Sequence, residues 1–336
     1  LSGGGDLSWL DVEQSDSKSA AALIAKARML LISTAVLWSM SFPLLRGLEL
    51  TQRATVTGVS DAALASADMT ARFGFAALFL LLLYGRGLVN VTWREWSQAI
   101  GLAVFAGAGL YLQTLGLAWT DASVAAFLTQ LYTLIVPLIV AVRDRQLPTR
   151  RVVVACVLVL AGAAILSPNL FRYFTLGPGE LVIVASTFFM ACQIVWVERP
   201  IYAENRPGVV TLIMFAFMAV MFGGSYLSAG GTTTTATQLF ATPVLATLTL
   251  ALVLLCTVFN FLVMNAWQRC VSATEAGIIY CIEPVLATVF SAFMPGLISR
   301  VATIAYANES LTWSLLVGGA LIIAATVLVA TEKRTV

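Results

Sequence analysis

The sequence predicts an all-α polytopic membrane protein: ten transmembrane helices arranged as two inverted five-helix repeats. Three observations carry this. Of 336 residues, 60% are hydrophobic and only 11% are charged, against about 25% charged in soluble domains. No water-soluble fold of this size buries so much apolar surface. The apolar residues also fall into ten stretches of spanning length, since ~20 residues cross the hydrocarbon of a bilayer. Finally, the second half of the chain repeats the pattern of the first at a constant offset of 151 residues.

Taken in order, residues 1–28 form a polar tail with Gly3 to Gly5 and the acids Asp6, Asp11, Glu13 and Asp16. Its composition predicts a mostly disordered cytoplasmic segment with an interfacial helix from Ala20 to Arg28. The spans follow at 29–48, 65–84, 96–118, 122–143, 151–168, 179–198, 208–227, 244–267, 273–296 and 311–330. The second has the weakest signal, because its first turns are rich in Ala and Ser. Lys and Arg set the orientation, because cytoplasmic connections are enriched in them. With the N-terminus inside, fourteen basic residues fall inside and four (Arg46, Arg53, Arg172, Arg300) outside. Both termini are therefore expected in the cytoplasm. A plasma membrane and an organellar inner membrane both fit this bias.

The repeat divides the chain into 29–168 and 179–331. At the offset of 151, Trp119 to Ala126 lies over Cys270 to Gly277, Trp38 over Phe189 and Ile32 over Ile183. Further on, QLPTRRVVVACVLVLAGAAIL matches SLTWSLLVGGALIIAATVLVA at a larger offset, which implies an insertion of 13 residues near Gly296 to Asn308. Five helices per half is an odd number, so the halves run oppositely through the membrane. Secondary transporters frequently use this arrangement, with the solute site near the midplane between repeats.

Some chemistries lack their residues. The chain contains no His, which removes the commonest general base and metal ligand. The five cysteines, Cys156, Cys192, Cys256, Cys270 and Cys281, stand singly in apolar stretches and read as small buried residues. No HExxH and no nucleotide-binding Gly-rich loop is present. The expectation is therefore no catalytic set, no metal, no cofactor and no enzyme activity. A net charge of +2 gives no reason to expect nucleic acid. The expected partners are a small-molecule solute, the lipid bilayer and, in a homodimer, a second copy.

The ninth span carries the sharpest candidate. Glu283 lies mid-span, followed by Pro284. An ionised carboxylate at the centre of a spanning helix costs ~2.5–3.5 kcal/mol to insert and normally faces a polar interior. Pro284 has no N–H, so the carbonyl of Tyr280 loses its helical partner. Glu283 is read as a proton-coupling or cation-binding group; the alternative is a structural acid beside a kink. Its counterpart at the offset of 151 is Tyr132. Glu275 fits a capping box with Ser272 and is set aside. Arg72 in the second span is a gate or ion-pair candidate near the outer side, with Asp68 four residues earlier as its local partner. Ser123, Ala126, Gln130, Thr133 and Pro137 give the fourth span a small, polar face. Gln113, Gln193, Asn260 and Asn265 lie at similar depth, and Trp38, Tyr132 and Tyr280 add rings with polar handles. With Gln130 and Glu283 these make up the expected substrate-binding set, a mixed polar and aromatic lining.

These segments resemble the EamA domain of the drug/metabolite transporter superfamily. The resemblance rests on LLISTAVLWSMSFPLLRG (30–47), Arg72-Phe73, LQTLGLAWTDASVAAFLTQLYTLIVPL (112–138), VSATEAGIIYCIEPVLA (271–287) and ESLTWSLLVGGALIIAATVLVA (309–330). The family implies a central cavity and the export or exchange of small metabolites. The chain departs from it at Arg143-Asp144-Arg145-Gln146, where a Gly-Glu pair is usual, and in the long insertion before Glu309. The resulting expectation is a secondary transporter for a neutral, zwitterionic or cationic metabolite, amino-acid-like or drug-like. It would work by alternating access, as an exporter and with proton coupling as one option. Organic-phosphate or nucleotide-sugar exchange is the alternative within the superfamily. It is disfavoured because no Lys lies in a span and Arg72 is placed near the outside. A non-transporting scaffold or receptor is the alternative of another class.

Overall fold

The computed structural model describes residues 7–120, 125, 128–166, 177–310 and 313–330, and within them the chain is helical with no strand. The first helix, α1 (Leu7–Thr55), corrects the expected disordered tail. No Gly or Pro interrupts the chain between Gly5 and Pro43. Propagation of a helix adds one hydrogen bond per residue fixed, so the apolar span extends backwards through the polar segment. At its other end α1 runs past residue 48, where Thr51 and Thr55 bond back to the carbonyls of Gly47 and Thr51.

Helix α2 (Asp61–Tyr84) starts earlier than its apolar run, because the Ser60 hydroxyl accepts from the Ala63 N–H at 3.2 Å. A reciprocal capping box between Thr92 and Glu95 opens α3 (Trp93–Leu117), satisfying two free donors. Next come α4 (Tyr132–Asp144), closed by Arg145 in the left-handed conformation (φ 52°), and α5 (Arg150–Leu166). Proline occupies the first position of α6 (Pro178–Val197) and α7 (Pro207–Ser228), where its missing N–H costs nothing. A short helix that the hydropathy does not show, α8 (Thr233–Phe240), precedes α9 (Pro243–Val253). A π-helical segment (Leu254–Phe259) joins α9 to α10 (Asn260–Trp267).

The predicted ninth span is two helices. They are α11 (Ala273–Tyr280) and α12 (Glu283–Ser291), broken at Cys281–Ile282 ahead of Pro284. The span ends at Ser291 rather than 296, and α13 (Met294–Ala302) occupies the predicted insertion. The last helix is α14 (Trp313–Ala330).

Among the described residues, seven helical runs are long and apolar enough to cross a membrane. The other three predicted spans are described over 13, 17 and 18 residues, as α4, α5 and α14. Leu82, Val142 and Val220 are among the large apolar side chains that point outward, as a lipid-facing surface requires.

The neighbours are regular. Helix α2 lies along α7, α3 along α6 and α5 along α14. Helix α1 packs on α9 and α10 and on α11 and α12, while α4 packs on α6 and α11. Exchanging the first five predicted spans for the last five turns α3–α6 into α1 against α9 and α10. The same exchange turns α1–α12 into α4–α6. Small residues permit the tightest crossings: a Cβ on Gly116 of α3 would sit 2.8 Å from the Gly179 carbonyl of α6.

The helix breaks obey the same relation. Turns at Gln130–Leu131 and Cys281–Ile282 are separated by the offset of 151, and the backbone at Leu131 (φ −59°, ψ −19°) matches that at Ile282 (φ −69°, ψ −18°). The two breaks are adjacent, with Thr133 Oγ1 3.1 Å from Cys281 Sγ. Ser123 and Ala126 of the predicted face lie outside the described residues.

Candidate functional site

A narrow cavity of about 60 Å³ lies in the middle of the bundle, between α1, α2, α3, α6, α10 and the α11–α12 break. This volume accommodates a few waters; small-molecule sites usually measure about 300–1,000 Å³. The site is therefore narrower here than a bound metabolite needs. Six of the residues singled out from the sequence meet here: Trp38, Arg72, Gln113, Gln193, Tyr280 and Glu283.

The break between α11 and α12 positions Glu283. The backbone carbonyl of Glu283 accepts from the Ser39 hydroxyl of α1 at 3.0 Å, which ties the break to the first helix. The residue is 8% exposed. Among the described residues no hydrogen bond or ion pair reaches the carboxylate, so its acceptor capacity is open to the cavity.

Arg72 requires a correction. Among the described residues no salt bridge joins Arg72 to Asp68, although the two charges still act on each other; the Asp68 carboxylate accepts from Gln52 Nε2 at 2.7 Å. Nor is Arg72 at the outer rim: it is 4% exposed and lines the same cavity as Glu283. The π segment holds it there. Arg72 Nε donates to Thr257 Oγ1, and Nη2 donates to the Cys256 carbonyl at 3.0 Å. A π turn breaks the regular i to i−4 ladder, and Thr257 Oγ1 bonds back to the Leu252 carbonyl at 2.9 Å. Among the described residues no carboxylate is in hydrogen-bond or salt-bridge contact with Arg72.

The rest of the wall is aromatic and amide. Trp38 packs edge-on against Phe261 and Tyr280, with ring centroids 5.7 and 5.4 Å apart, and its indole N–H is buried without a hydrogen-bond partner. Gln113 Nε2 donates to Thr129 Oγ1 at 2.9 Å. Among the described residues Gln193 Nε2 reaches the Met264 thioether, at 3.2 Å, a weak acceptor. Tyr280 donates to Gln268 Oε1 at 3.1 Å.

The remaining sequence candidates lie elsewhere. Gln130 sits at the break before α4 and gives its carbonyl to the Thr133 N–H at 2.9 Å. Tyr132 opens α4 and faces Gly277 of α11. Asn260 follows the π segment, fully buried, with its Nδ2 3.5 Å from the Cys256 carbonyl. Asn265 joins α10 to α7 by donating to Thr211 Oγ1 at 2.9 Å. None of these four lines the cavity.

Polar ties lie beyond the cavity in both directions along α1. At the end nearer the N-terminal part of α1, Arg28 Nε meets Glu275 Oε1 at 2.6 Å, and Lys26 lies 4.9 Å from the Trp267 ring centroid. Gln268 Nε2 donates to the Ile194 carbonyl at 2.8 Å, so one amide links α6 to Tyr280. The sequence reading set Glu275 aside as a cap. Ser272 Oγ does accept from its N–H at 3.1 Å, but the carboxylate crosses to α1. At the other end, Arg46 and Arg53 both pair with Glu49 at 2.9 Å. Arg53 also pairs with Asp61, which accepts from the Trp119 indole N–H at 2.6 Å. A smaller space lined by Glu49, Arg53, Asp61 and Asp68 lies at this end. Leu45 and Leu117 border both spaces and so form the layer between them.

A larger concavity, about 760 Å³, runs between α2 and α7 on the apolar surface. Among the described residues its wall has no titratable side chain, as suits an apolar exterior surface. The described residues contain no cluster of His, Cys, Asp or Glu suited to a metal ion.

No protein-family model matches the chain, and no curated protein matches it. Among solved structures, one titled only "Crystal structure of protein" aligns with a TM-score of 0.63 at 17% sequence identity, covering 90% of this chain and 96% of that one. This likeness places the two chains in one fold.

Proposed function

We propose that this chain is a secondary transporter of the drug/metabolite type, with ten spans in two inverted halves. A small metabolite binds between the halves and crosses by alternating access. The reading rests on one observation above all: a narrow cavity between the helices that holds Glu283 and Arg72, neither in a salt bridge among the described residues, with separate ion-pair networks further along α1 in each direction. Such a cavity opens to one side when the Arg28–Glu275 tie parts and to the other when Arg53 leaves Asp61. The exchange relation among helix neighbours and the matched helix breaks support the inverted repeat. An inverted repeat makes two such openings equivalent in kind. The basic residues favour cytoplasmic termini, which puts the Arg28–Glu275 end inside and the Arg53–Asp61 end outside.

The test is counterflow in proteoliposomes with labelled amino acids, amines and purines, for wild type and Glu283→Gln side by side. Exchange by both, with proton-driven accumulation lost in the Gln variant, makes Glu283 the coupling acid. Equal accumulation by both makes it structural. Absence of flux for any solute favours a receptor or scaffold. One observation favours a second reading within the superfamily: with Arg72 in the cavity, an anionic organic phosphate has a cation to bind. Glu283 opposes it, because dense negative charge would face a buried carboxylate. Phosphate esters form the second solute panel.

A further inference from the structure

A guanidinium and a carboxyl line one narrow space, and among the described residues neither makes a salt bridge with the other or with a third group; Asp68, held by Gln52, is the charged neighbour that Arg72 still feels. Burying a charge without a partner is costly, and a simple way to relieve both costs is a direct salt bridge, which this fold does not make. The guanidinium has five N–H donors. Two hydrogen bonds, to Thr257 Oγ1 and the Cys256 carbonyl, fix its plane, and Nη1 has no acceptor among the described residues. The π segment thus acts as a bracket: it supplies a carbonyl and a hydroxyl on one side of Arg72 and leaves the other side to the cavity. Opposite, the Glu283 carboxylate has no donor.

We infer, on the basis of the transporter reading above, that the solute is a zwitterion. Its carboxylate is taken by Arg72 and its ammonium by Glu283. The charge balance selects this class. A monoanion leaves Glu283 without a contacting donor, a monocation leaves Arg72 with only the more distant Asp68, and a zwitterion gives both groups a contact at once. The wall adds a second selection. Trp38, Phe42, Phe261 and Tyr280 present rings, and Met190 and Met264 present flexible thioethers, a lining for an apolar side chain of adaptable shape. Gln113 and Gln193 supply amides near the charged pair.

The experiment uses four probes of one shape: phenylalanine (zwitterion), phenylalaninamide (cation), 3-phenylpropanoate (anion) and 3-phenylpropanamide (neutral). Binding to the purified full chain is read by quenching of tryptophan fluorescence, and flux by counterflow in proteoliposomes. The wild type should prefer phenylalanine to each of the other three. Hydrogen bonds to charged groups carry ≈ 1.5–3 kcal/mol, so Arg72→Gln should weaken phenylalanine roughly 10- to 100-fold while leaving phenylalaninamide within a few-fold. Glu283→Gln should weaken phenylalanine by a similar factor and spare 3-phenylpropanoate. Within one variant the ratio of two probes does not depend on the fraction folded, so a poorly folding variant still gives an answer. Equal losses across all four probes in Arg72→Gln, or an Arg72→Gln variant that keeps its preference for phenylalanine, overturns the assignment. So does a wild type that binds none of the four. Counterflow of any other solute by that wild type would show the transport reading surviving on its own; no counterflow at all would remove both.

Discussion

Removing the charge of Glu275 should loosen one end of the cavity. The Arg28–Glu275 contact is 2.6 Å, with the Arg28 side chain 30% exposed and that of Glu275 8% exposed. At a charge separation of ~4 Å and an effective dielectric of about 20, the attraction is about 4 kcal/mol. Partial exposure of Arg28 and the entropy of holding two side chains take back more than half of this. About 1–2 kcal/mol of closure remains, a factor of roughly 5–30 in the closed-to-open ratio. Glu275→Gln keeps the backbone N–H bond to Ser272 Oγ and removes only the charge. The assay places a single cysteine at Met264, which lines the cavity, after replacement of the five native cysteines. Labelling by a charged maleimide is then timed in detergent. Glu275→Gln and Arg28→Gln should both label roughly 5- to 30-fold faster. The swap Arg28→Glu with Glu275→Arg should return the rate toward that of the parent. Unchanged rates in both single variants, or a swap that labels as fast as they do, would refute the closure.

Three further outcomes follow from the same geometry. Gln268→Leu takes the Gln268 acceptor from the Tyr280 hydroxyl, leaving it Thr34, and removes the amide donor of the Ile194 carbonyl in the core. It should cost about 1–3 kcal/mol in thermal unfolding and also speed labelling at Met264→Cys; an unchanged melting temperature counts against the tie. Arg53→Gln disconnects Glu49 of α1 from Asp61 of α2. It should speed labelling of a cysteine at Leu117, by less than the Arg28 change because the Arg53 side chain is 38% exposed. Gly162→Val puts a Cβ 2.5 Å from the Gly318 carbonyl and 2.9 Å from Ile322 Cγ1. Forcing α5 from α14 should cost about 1–3 kcal/mol, and a variant as heat-stable as wild type would show that the crossing is loose.

Hydropathy made the apolar stretches legible, because exclusion from water acts on whole segments and survives errors of a few residues. The break at Cys281–Ile282 was legible too, since Pro284 removes a donor whatever surrounds it. The matching break at Gln130–Leu131 has no proline at the turn, and only the repeat points to it. Trp38, Gln113, Gln193, Tyr280 and Glu283 were grouped by depth, and they line one cavity. Asn260 and Asn265 lie at similar depth, but depth does not give direction around the helix axis, and neighbours turn them into interhelical contacts. Arg72 was misplaced because the Ala- and Ser-rich start of α2 looks like loop. Its true start at Asp61 rests on one Ser60 hydrogen bond, and that puts Arg72 deeper in the helix. Asp68 was assigned to Arg72 by spacing alone, without the competing amide of Gln52, which lies 16 residues away in sequence.

The π segment also sets a phase. Each residue of an α-helix turns the chain by ~100° and raises it by 1.5 Å, and a π turn is in effect one residue inserted into that count. Everything on α10 is therefore indexed one step later than α9 would dictate. Deleting one residue from Leu254–Phe259 would restore a continuous α-helix and rotate α10 by about that angle against its neighbours. Phe261 and Met264 would swing away from the cavity, and Asn265 away from Thr211, while α9 stayed in place. Replacing residues in this segment is thus a different operation from removing one: the first edits the bracket around Arg72, and the second re-indexes half of a wall.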